Sequence, residues 1–216
     1  MKPFANRVSA GRELAGLLCK YRNQPDIAVL GLPRGGVPVA FEIARAIHAP
    51  LDVMIVRKIG APGQPELAIG AIASGGVTVI NEELLAWFRD PGAIEHAQAA
   101  EHIELDRREK AYRGTRPPLT LKDQIVLLVD DGAATGASML AAVRAARKLE
   151  AKEVVVALPV ASVSACDLLS READQVVCLS TPSSFSAVAQ WYEDFAQTSD
   201  AEVTELLTRS TNESLR

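Results

Sequence analysis

Short apolar runs alternate with segments of helical periodicity through most of the chain. Residues 27–32 and 125–129 are continuous apolar runs, as expected for strands that are covered on both faces. Helical spacing occupies residues 8–21, the stretch that ends near His48, and the alanine-rich residues 137–149. This alternation is typical of βαβ units, so the sequence predicts an α/β fold: a mostly parallel twisted sheet flanked by helices.

Further strands are predicted on either side of these runs. Residues 51–59 predict the second strand, and a Gly/Pro-rich loop follows over residues 60–66. Residues 68–73 and 77–80 predict an antiparallel pair around the turn at residues 74–76. We therefore expect additions that cover one edge of the parallel sheet.

The last predicted strands follow the alanine-rich helix. Residues 154–160 and 175–179 are apolar runs, and a helix between them can be capped by Ser162 or Ser164. The sequence thus predicts one more βαβ unit at this side of the sheet.

The organisation favours a single domain over residues 1–216. We expect a core of about 24–80 and 120–180, a charged helical insertion at 81–116, and C-terminal hood elements at 181–216. The last segment holds a cluster of aromatic residues, namely Phe185, Trp191, Tyr192 and Phe195.

Composition narrows the class of protein. Hydrophobic residues make up 48% and charged residues 23%, which is ordinary for a globular chain, and the net charge of −4 gives no pull toward nucleic acid or membranes. No apolar run approaches the roughly 20 residues of a membrane span, and the first residues lack a secretory pattern. The scattered Cys19, Cys166 and Cys178 favour reduced thiols over disulfides or zinc. We expect a cytoplasmic protein without nucleic-acid or membrane partners.

An acidic pair follows the most apolar run. Asp130 and Asp131 lie where a strand is predicted to end, and ligands of open α/β sheets bind beyond such ends. The next residues, 132–136, are small apart from Thr135, so several N–H groups can point at one anion beside a helix N-terminus. Carboxylates repel phosphate but accept hydrogen bonds from hydroxyls, so the combination fits a ligand with both a vicinal diol and a phosphate. For the acidic pair alone, an ordinary solvated strand end is the alternative.

Residues 125–138, IVLLVDDGAATGAS, resemble the signature with which type I phosphoribosyltransferases bind 5-phosphoribosyl 1-diphosphate (PRPP). Residues 31–38, GLPRGGVP, are similar to the pyrophosphate loop of that family, and residues 56–60, VRKIG, to the Arg-Lys element of adenine phosphoribosyltransferases. The resemblance covers residues 27 to about 180. Because the pyrophosphate loop often contains a cis non-proline peptide, the resemblance implies a cis bond between Pro33 and Arg34.

The resemblance implies a Mg²⁺-dependent enzyme of nucleotide salvage, commonly a homodimer, on the type I phosphoribosyltransferase fold with a small hood. It would transfer the phosphoribosyl group of PRPP to a nitrogen nucleophile, a purine or pyrimidine base, and release pyrophosphate. The implied catalytic residues are Asp130, Asp131, Arg34 and Lys58, and the two acids would also hold the metal, mostly through water. The implied PRPP-binding residues are Gly132, Ala133, Ala134, Thr135, Gly136, Ala137, Gly35, Gly36 and Arg57.

Candidate contacts to the acceptor are less well defined by pattern. Glu66 lies on the loop after the Arg-Lys element, and Trp191 and Tyr192 lie in the C-terminal segment. Aromatic residues can stack a flat heterocycle, but this spacing is also typical of hydrophobic packing, which we expect instead. The loop at residues 60–66 lacks the patterns of better-known family members, so its closure over the site is expected from position alone.

Other functional classes leave patterns that this chain lacks. A receiver domain carries its acidic pair on the first strand, a dinucleotide site needs GxGxxG, a P-loop ends in Lys-Ser/Thr, and a hydrolase of the GxSxG type needs that motif. The alternative that stays open is a non-catalytic PRPP-binding regulatory protein. An enzyme that acts on an amine or a phosphorylated acceptor is a third possibility.

Overall fold

The computed structural model describes residues 2–61, 64–80, 87, 91–114, 116 and 119–214. The strands in these ranges are β1 Ile27–Gly31, β2 Leu51–Val53, β3 Val56–Ala61, β4 Gln64–Ala73, β5 Val77–Ile80, β6 Ile125–Val129, β7 Glu153–Val160 and β8 Gln175–Ser180. The α-helices are α1 Arg7–Leu17, α2 Gly36–Ile47, α3 Pro91–Arg113, α4 Ala137–Lys148, α5 Val163–Leu169 and α6 Asp200–Ser214. Short 3-10 helices cover Cys19–Tyr21 and Val188–Trp191.

Five strands form a parallel sheet in the order β2-β1-β6-β7-β8. Alternate residues of β6 enter the hydrophobic clusters on the two faces, with Leu127 packed toward α1 and α2 and Leu128 toward α4 and α5. Gly31 lies opposite Val129, so the two central strands end side by side. The predicted α/β class and parallel sheet are confirmed, and the continuous apolar runs reflect burial on both faces.

The chain from Val56 to Ile80 leaves this sheet and forms an antiparallel one in the order β3-β4-β5, here called the hood sheet. The prediction of one strand over residues 51–59 was wrong, because β2 and β3 belong to different sheets. Between them, the Ile55 N–H donates to the hydroxyl of the fully buried Ser74 at 3.0 Å, and this side-chain acceptor takes the place of a neighbouring strand.

Most of the loop expected at residues 60–66 is strand as well. β3 continues to Ala61 and β4 begins at Gln64, whereas residues 62 and 63 lie outside the described residues. The antiparallel pairing of β4 and β5 around residues 74–76 is confirmed. The prediction that this segment closes over the site therefore concerns two antiparallel strands rather than an irregular loop.

The expected helical insertion is confirmed in its described part, where α3 packs against β3 and β4. The C-terminal segment divides in two: the 3-10 helix Val188–Trp191 lies beside the loop after β6, whereas α6 packs against α2, α3 and β2. None of the helices in the described ranges combines the length and apolar character that crossing a bilayer requires.

Candidate active site

The acidic pair lies at the carboxyl end of β6, against the turn that follows β1. A Cβ atom on Gly36 would lie 2.5 Å from the carbonyl oxygen of Val129 and 2.8 Å from the Cα of Asp130. A Cβ atom on Gly35 would collide with the carboxylate of Asp131. Only glycine therefore lets this turn approach both acids.

The same turn is fixed to β6 by its backbone. The Leu32 N–H donates to the Val129 carbonyl at 2.8 Å, and the Gly36 N–H donates to the Leu32 carbonyl at 3.0 Å. The Pro33–Arg34 peptide bond is cis, as expected from the resemblance. The turn thus connects β1 to α2 while lying on the strand end that carries the acids.

The loop after the acids is attached to β7. The Ala133 N–H donates to the Val160 carbonyl at 3.0 Å, and the Ala133 carbonyl accepts the Ser162 N–H at 2.9 Å. The Ser162 hydroxyl, which also caps α5, donates to the Ala134 carbonyl at 2.6 Å. The Ala133 amide is therefore engaged within the protein, so this residue supports the loop by packing rather than by an amide toward a ligand.

The rest of the loop faces outward and begins α4. Gly136 is the N-terminal cap of α4 with φ 76°, a conformation that favours glycine. Ala134, Thr135 and Ala137 are exposed, and within the described residues no protein acceptor bonds the N–H of Thr135 or Gly136. Amides at a helix N-terminus that have no protein acceptor are suited to a phosphate.

Burial raises the pKa of both acids. For Asp130 the pKa lies well above its ordinary value, because burial and the charge of Asp131 outweigh the hydrogen bond from the Asp131 N–H to Oδ1 at 2.9 Å. Burial also raises the pKa of Asp131, opposed by the guanidinium of Arg7. A ligand that brings hydroxyl donors or positive charge would therefore favour the ionised pair.

Two residues from the ends of the chain hold Asp131, and sequence reasoning missed both contacts. The Arg7 Nε donates to Asp131 Oδ2 at 2.8 Å, and the two side chains are only 11% and 13% exposed. The Tyr192 hydroxyl donates to the Asp131 carbonyl oxygen at 2.6 Å. Arg7 is separated from Asp131 by 124 positions, and no local pattern connects the two residues.

The aromatic acceptor candidates are packed. Tyr192 is 6% exposed and contacts Phe4 and Phe195, with ring centroids 5.6 and 5.0 Å apart. Trp191 stacks on Phe185 at 6.4 Å, and its indole N–H is buried without an acceptor among the described residues. These contacts support hydrophobic packing. Glu66 lies in β4, and its side chain is outside the described part of the structure.

The predicted basic residues do not converge. The Arg34 side chain is partly exposed, with Nη1 3.8 Å from Asp200 Oδ1. The Arg57 guanidinium donates to Glu101 on α3 at 2.7 Å from both Nε and Nη2. Lys58, the next residue of β3, points to the other face of the hood sheet, because side chains alternate along a strand.

Lys58 borders a cavity of about 290 Å³ between the hood sheet and the beginning of α4. Ala137 and Ser138, in the first turn of α4, line its other side. The structure therefore brings Lys58, rather than Arg57, to the helix end that is suited to phosphate.

The donor set can be compared with what Mg²⁺ requires. Among the described residues, no group of three or more His, Cys, Asp or Glu side chains could hold a metal ion. Asp130 and Asp131 supply hard oxygens, and Arg7 already occupies one oxygen of Asp131. These residues fit a Mg²⁺ ion that keeps most of its water and substrate oxygens rather than one held in a protein cage.

Comparisons with known proteins identify the family of this chain. A family model described as "Phosphoribosyl transferase domain" matches residues 5–195. Two curated sequences from strains of Mycobacterium tuberculosis, each named "Putative phosphoribosyl transferase", are 46% identical over 211 residues, 97% of this chain. The chain spans about half of their length, 47%.

A solved structure shares the whole fold. The crystal structure of TT1426 from Thermus thermophilus has a TM-score of 0.86 and 43% sequence identity, covering 97% of this chain and 99% of that one. Together with the family match over most of the chain, this similarity shows that the protein belongs to the phosphoribosyl transferase domain family.

Proposed function

We propose that this protein is a Mg²⁺-dependent phosphoribosyltransferase that binds PRPP, transfers its 5-phosphoribosyl group to a nitrogen nucleophile, a purine or pyrimidine base, and releases pyrophosphate. The observation that carries the proposal is the pair Asp130 and Asp131, lying between the Gly35-Gly36 turn and a loop that presents amides at the start of α4. Family membership and the names of the relatives support the transferase class.

The sugar phosphate would lie across the end of β6. Asp130 and Asp131 would accept hydrogen bonds from the 2′- and 3′-hydroxyls of the ribose. The amides of Thr135 and Gly136, which have no protein acceptor among the described residues, would hold the 5′-phosphate together with the dipole of α4. The spacing along one loop matches a ligand whose diol and phosphate are a few bonds apart.

The leaving group would face the Gly35-Gly36 turn and the cavity that Lys58 borders. As the bond from C1 of the ribose to the diphosphate oxygen breaks, a bond from C1 to the acceptor nitrogen forms, and that nitrogen loses a proton. Arg34, the Gly35-Gly36 turn and Lys58 would stabilise the charge that develops on the diphosphate. Bound Mg²⁺ would neutralise part of the same charge, held by Asp130 and Asp131 mostly through water.

One observation favours the alternative, a PRPP-binding regulatory protein without turnover. Arg57, predicted to contact the diphosphate, is engaged by Glu101 across both Nε and Nη2. A site that lacks this cation can still bind the ribose phosphate, but it stabilises the departing diphosphate less. Turnover and binding therefore have to be measured separately.

The test measures pyrophosphate release from PRPP and Mg²⁺ across a panel of purine and pyrimidine bases, with Asp130→Asn/Asp131→Asn as the inactive control. Base-dependent release that disappears in the double variant supports the enzyme and identifies its acceptor class. Saturable PRPP binding without release from any base favours the regulatory alternative. Absence of both binding and release contradicts a PRPP site. The homodimer and the cytoplasmic location stay predictions, and sedimentation velocity would test the first.

A further inference from the structure

Arg7 makes three different contacts at the centre of the site. Its Nε donates to Asp131 Oδ2 at 2.8 Å, its Nη1 donates to the Ala196 carbonyl at 2.7 Å, and its guanidinium carbon lies 3.9 Å from the centroid of Phe195. The planar guanidinium is the side chain that can donate in two directions and stack at once. Arg7 therefore joins the acid of the loop after β6 to the C-terminal segment.

The position of Arg7 is itself fixed. It is the first residue of α1, after Asn6, whose side chain accepts the Ser9 N–H at 2.9 Å in a capping box. Gly11 of the same helix lies so close to α2 that a Cβ atom there would meet the Val39 carbonyl oxygen at 2.8 Å. Helix α1 is thus held by capping and by close packing on α2, the helix that begins at the Gly35-Gly36 turn.

Arg7 also limits where the Asp131 carboxylate can lie. A Cβ atom on Gly35 would collide with Asp131 Oδ2 and lie 3.3 Å from Arg7 Nε. The carboxylate is therefore enclosed between the glycine turn and the guanidinium. The contact to Arg7 engages one oxygen, Oδ2, so the orientation of the other oxygen is set as well.

We propose that Arg7 is a positioning residue that fixes the Asp131 carboxylate for the ribose diol of PRPP. This inference rests on the proposed function. Without Arg7, the carboxylate would keep its place in the chain but lose the contact that orients it. The C-terminal segment would lose one attachment to the site, while the Tyr192 hydroxyl would still donate to the Asp131 carbonyl. The amides of Thr135 and Gly136, proposed to bind the phosphate, belong to a different part of the loop, and the hydrogen bonds of Arg7 go to Asp131 and Ala196 instead.

The test uses calorimetry with two probes, Mg²⁺ with PRPP and inorganic phosphate alone, on the whole protein. The variants are Arg7→Gln, which removes the charge, and Arg7→Lys, which keeps the charge without the planar fork. The matched control is Arg12→Gln on the same helix, because Arg12 also pairs with a carboxylate, that of Glu42 rather than Asp131, and is 64% exposed. Thermal unfolding of each variant separates loss of fold from loss of binding.

We expect Arg7→Gln to weaken PRPP binding by about tenfold to a hundredfold, the range for a lost hydrogen bond to a charged group. Arg7→Lys should recover part of that loss, and inorganic phosphate should bind all four proteins alike. Should Arg7→Gln fail to fold, the comparison of Arg7→Lys with the unaltered protein tests the proposal. Arg7→Lys should then bind PRPP more weakly and inorganic phosphate equally well.

The other outcomes are distinguishable. If the unaltered protein does not bind PRPP, the proposed function and this inference both fail. If it binds PRPP and the Arg7 variants bind equally well, only the inference fails. If the variants lose PRPP and phosphate to the same extent, Arg7 serves the fold generally, and the positioning role is overturned.

Discussion

Asp130 and Asp131, beyond the end of β6, approach one common turn, whereas Arg57 and Lys58, within β3, face in opposite directions. The acids lie in a loop beyond Val129, the last residue of β6, so their side chains are not held to opposite faces of a sheet and can meet the same ligand. The basic residues lie in a strand, where side chains alternate between faces. Two adjacent charged side chains can therefore serve one site only where the backbone does not direct them to opposite faces of a sheet.

The ion pairs made by these two regions, Arg7–Asp131 and Arg57–Glu101, also differ in how much the fold depends on them. Asp131 and Arg7 are 13% and 11% exposed, and this ion pair is enclosed by the glycine turn and Phe195. Arg57 and Glu101 are 28% and 26% exposed, at the boundary between α3 and the hood sheet. Charge substitutions should consequently have large effects on stability at the Arg7–Asp131 ion pair and small ones at the Arg57–Glu101 ion pair.

The largest effect on stability is expected for Arg7→Gln. The variant leaves the buried carboxylate of Asp131, whose pKa is already raised by burial, without the opposing charge of Arg7, which should lower the free energy of unfolding at pH 7 by about 3 kcal/mol. Urea denaturation followed by circular dichroism measures this quantity. An unchanged midpoint would show that the Arg7–Asp131 pair contributes nothing to the fold.

Gly35→Ala should have the next largest effect and lower the free energy of unfolding by about 2 kcal/mol. The added methyl group would force the turn away from the Asp131 carboxylate. The matched control is Gly16→Ala, on α1, where a Cβ atom meets nothing within 4 Å. Alanine in that exposed helical position should raise the stability by up to about 1 kcal/mol. Equal effects of the two substitutions in denaturation would contradict the close approach at Gly35.

Asp130→Asn should change stability in the opposite direction from Arg7→Gln, by a smaller amount. Burial raises the pKa of Asp130, so its carboxyl group contributes stability that is present below the unfolded pKa of about 4 and lost as pH rises through the folded pKa. The neutral amide avoids that loss, so the variant should be more stable at pH 7, and the gain should shrink on acidification. Thermal unfolding between about pH 4 and pH 8 tests this, and a gain that grows toward acid would contradict it.

The smallest effects are expected at the basic pair. Arg57→Gln should cost about 0.5–1 kcal/mol of stability through loss of the half-buried contact to Glu101. Lys58→Gln should leave stability nearly unchanged and weaken PRPP binding, because Lys58 borders the cavity at the start of α4. Denaturation and calorimetry on both variants sharpen the comparison, and the reverse assignment of the two effects would contradict it.

The parallel sheet and the acidic pair were predictable because their signals are local. Continuous apolar runs predicted β1 and β6, and the cis bond at Pro33–Arg34 followed from the resemblance. Arg57 and Lys58 were both assigned to the PRPP site from the resemblance, although side chains alternate along a strand and these two lie on opposite faces of β3.

What could not be predicted depends on contacts between distant parts of the chain. The break between β2 and β3 depends on Ser74, whose hydroxyl accepts the Ile55 N–H. No local sequence pattern around Ile55 indicates that partner. Arg7 precedes the helix predicted over residues 8–21, and its contact to Asp131 spans 124 positions. The engagement of the Ala133 amide by Val160 similarly requires β7 to be in place.

The central claim, that Asp130 and Asp131 recognise a vicinal diol beside a phosphate site, is tested most directly by calorimetry with ribose 5-phosphate and 2-deoxyribose 5-phosphate. We predict that the unaltered protein binds the ribose compound about tenfold or more tightly, since one hydrogen bond to a charged group is worth that factor. In Asp130→Asn/Asp131→Asn the preference should disappear while inorganic phosphate still binds. Equal affinity of the unaltered protein for the two sugars would contradict the claim.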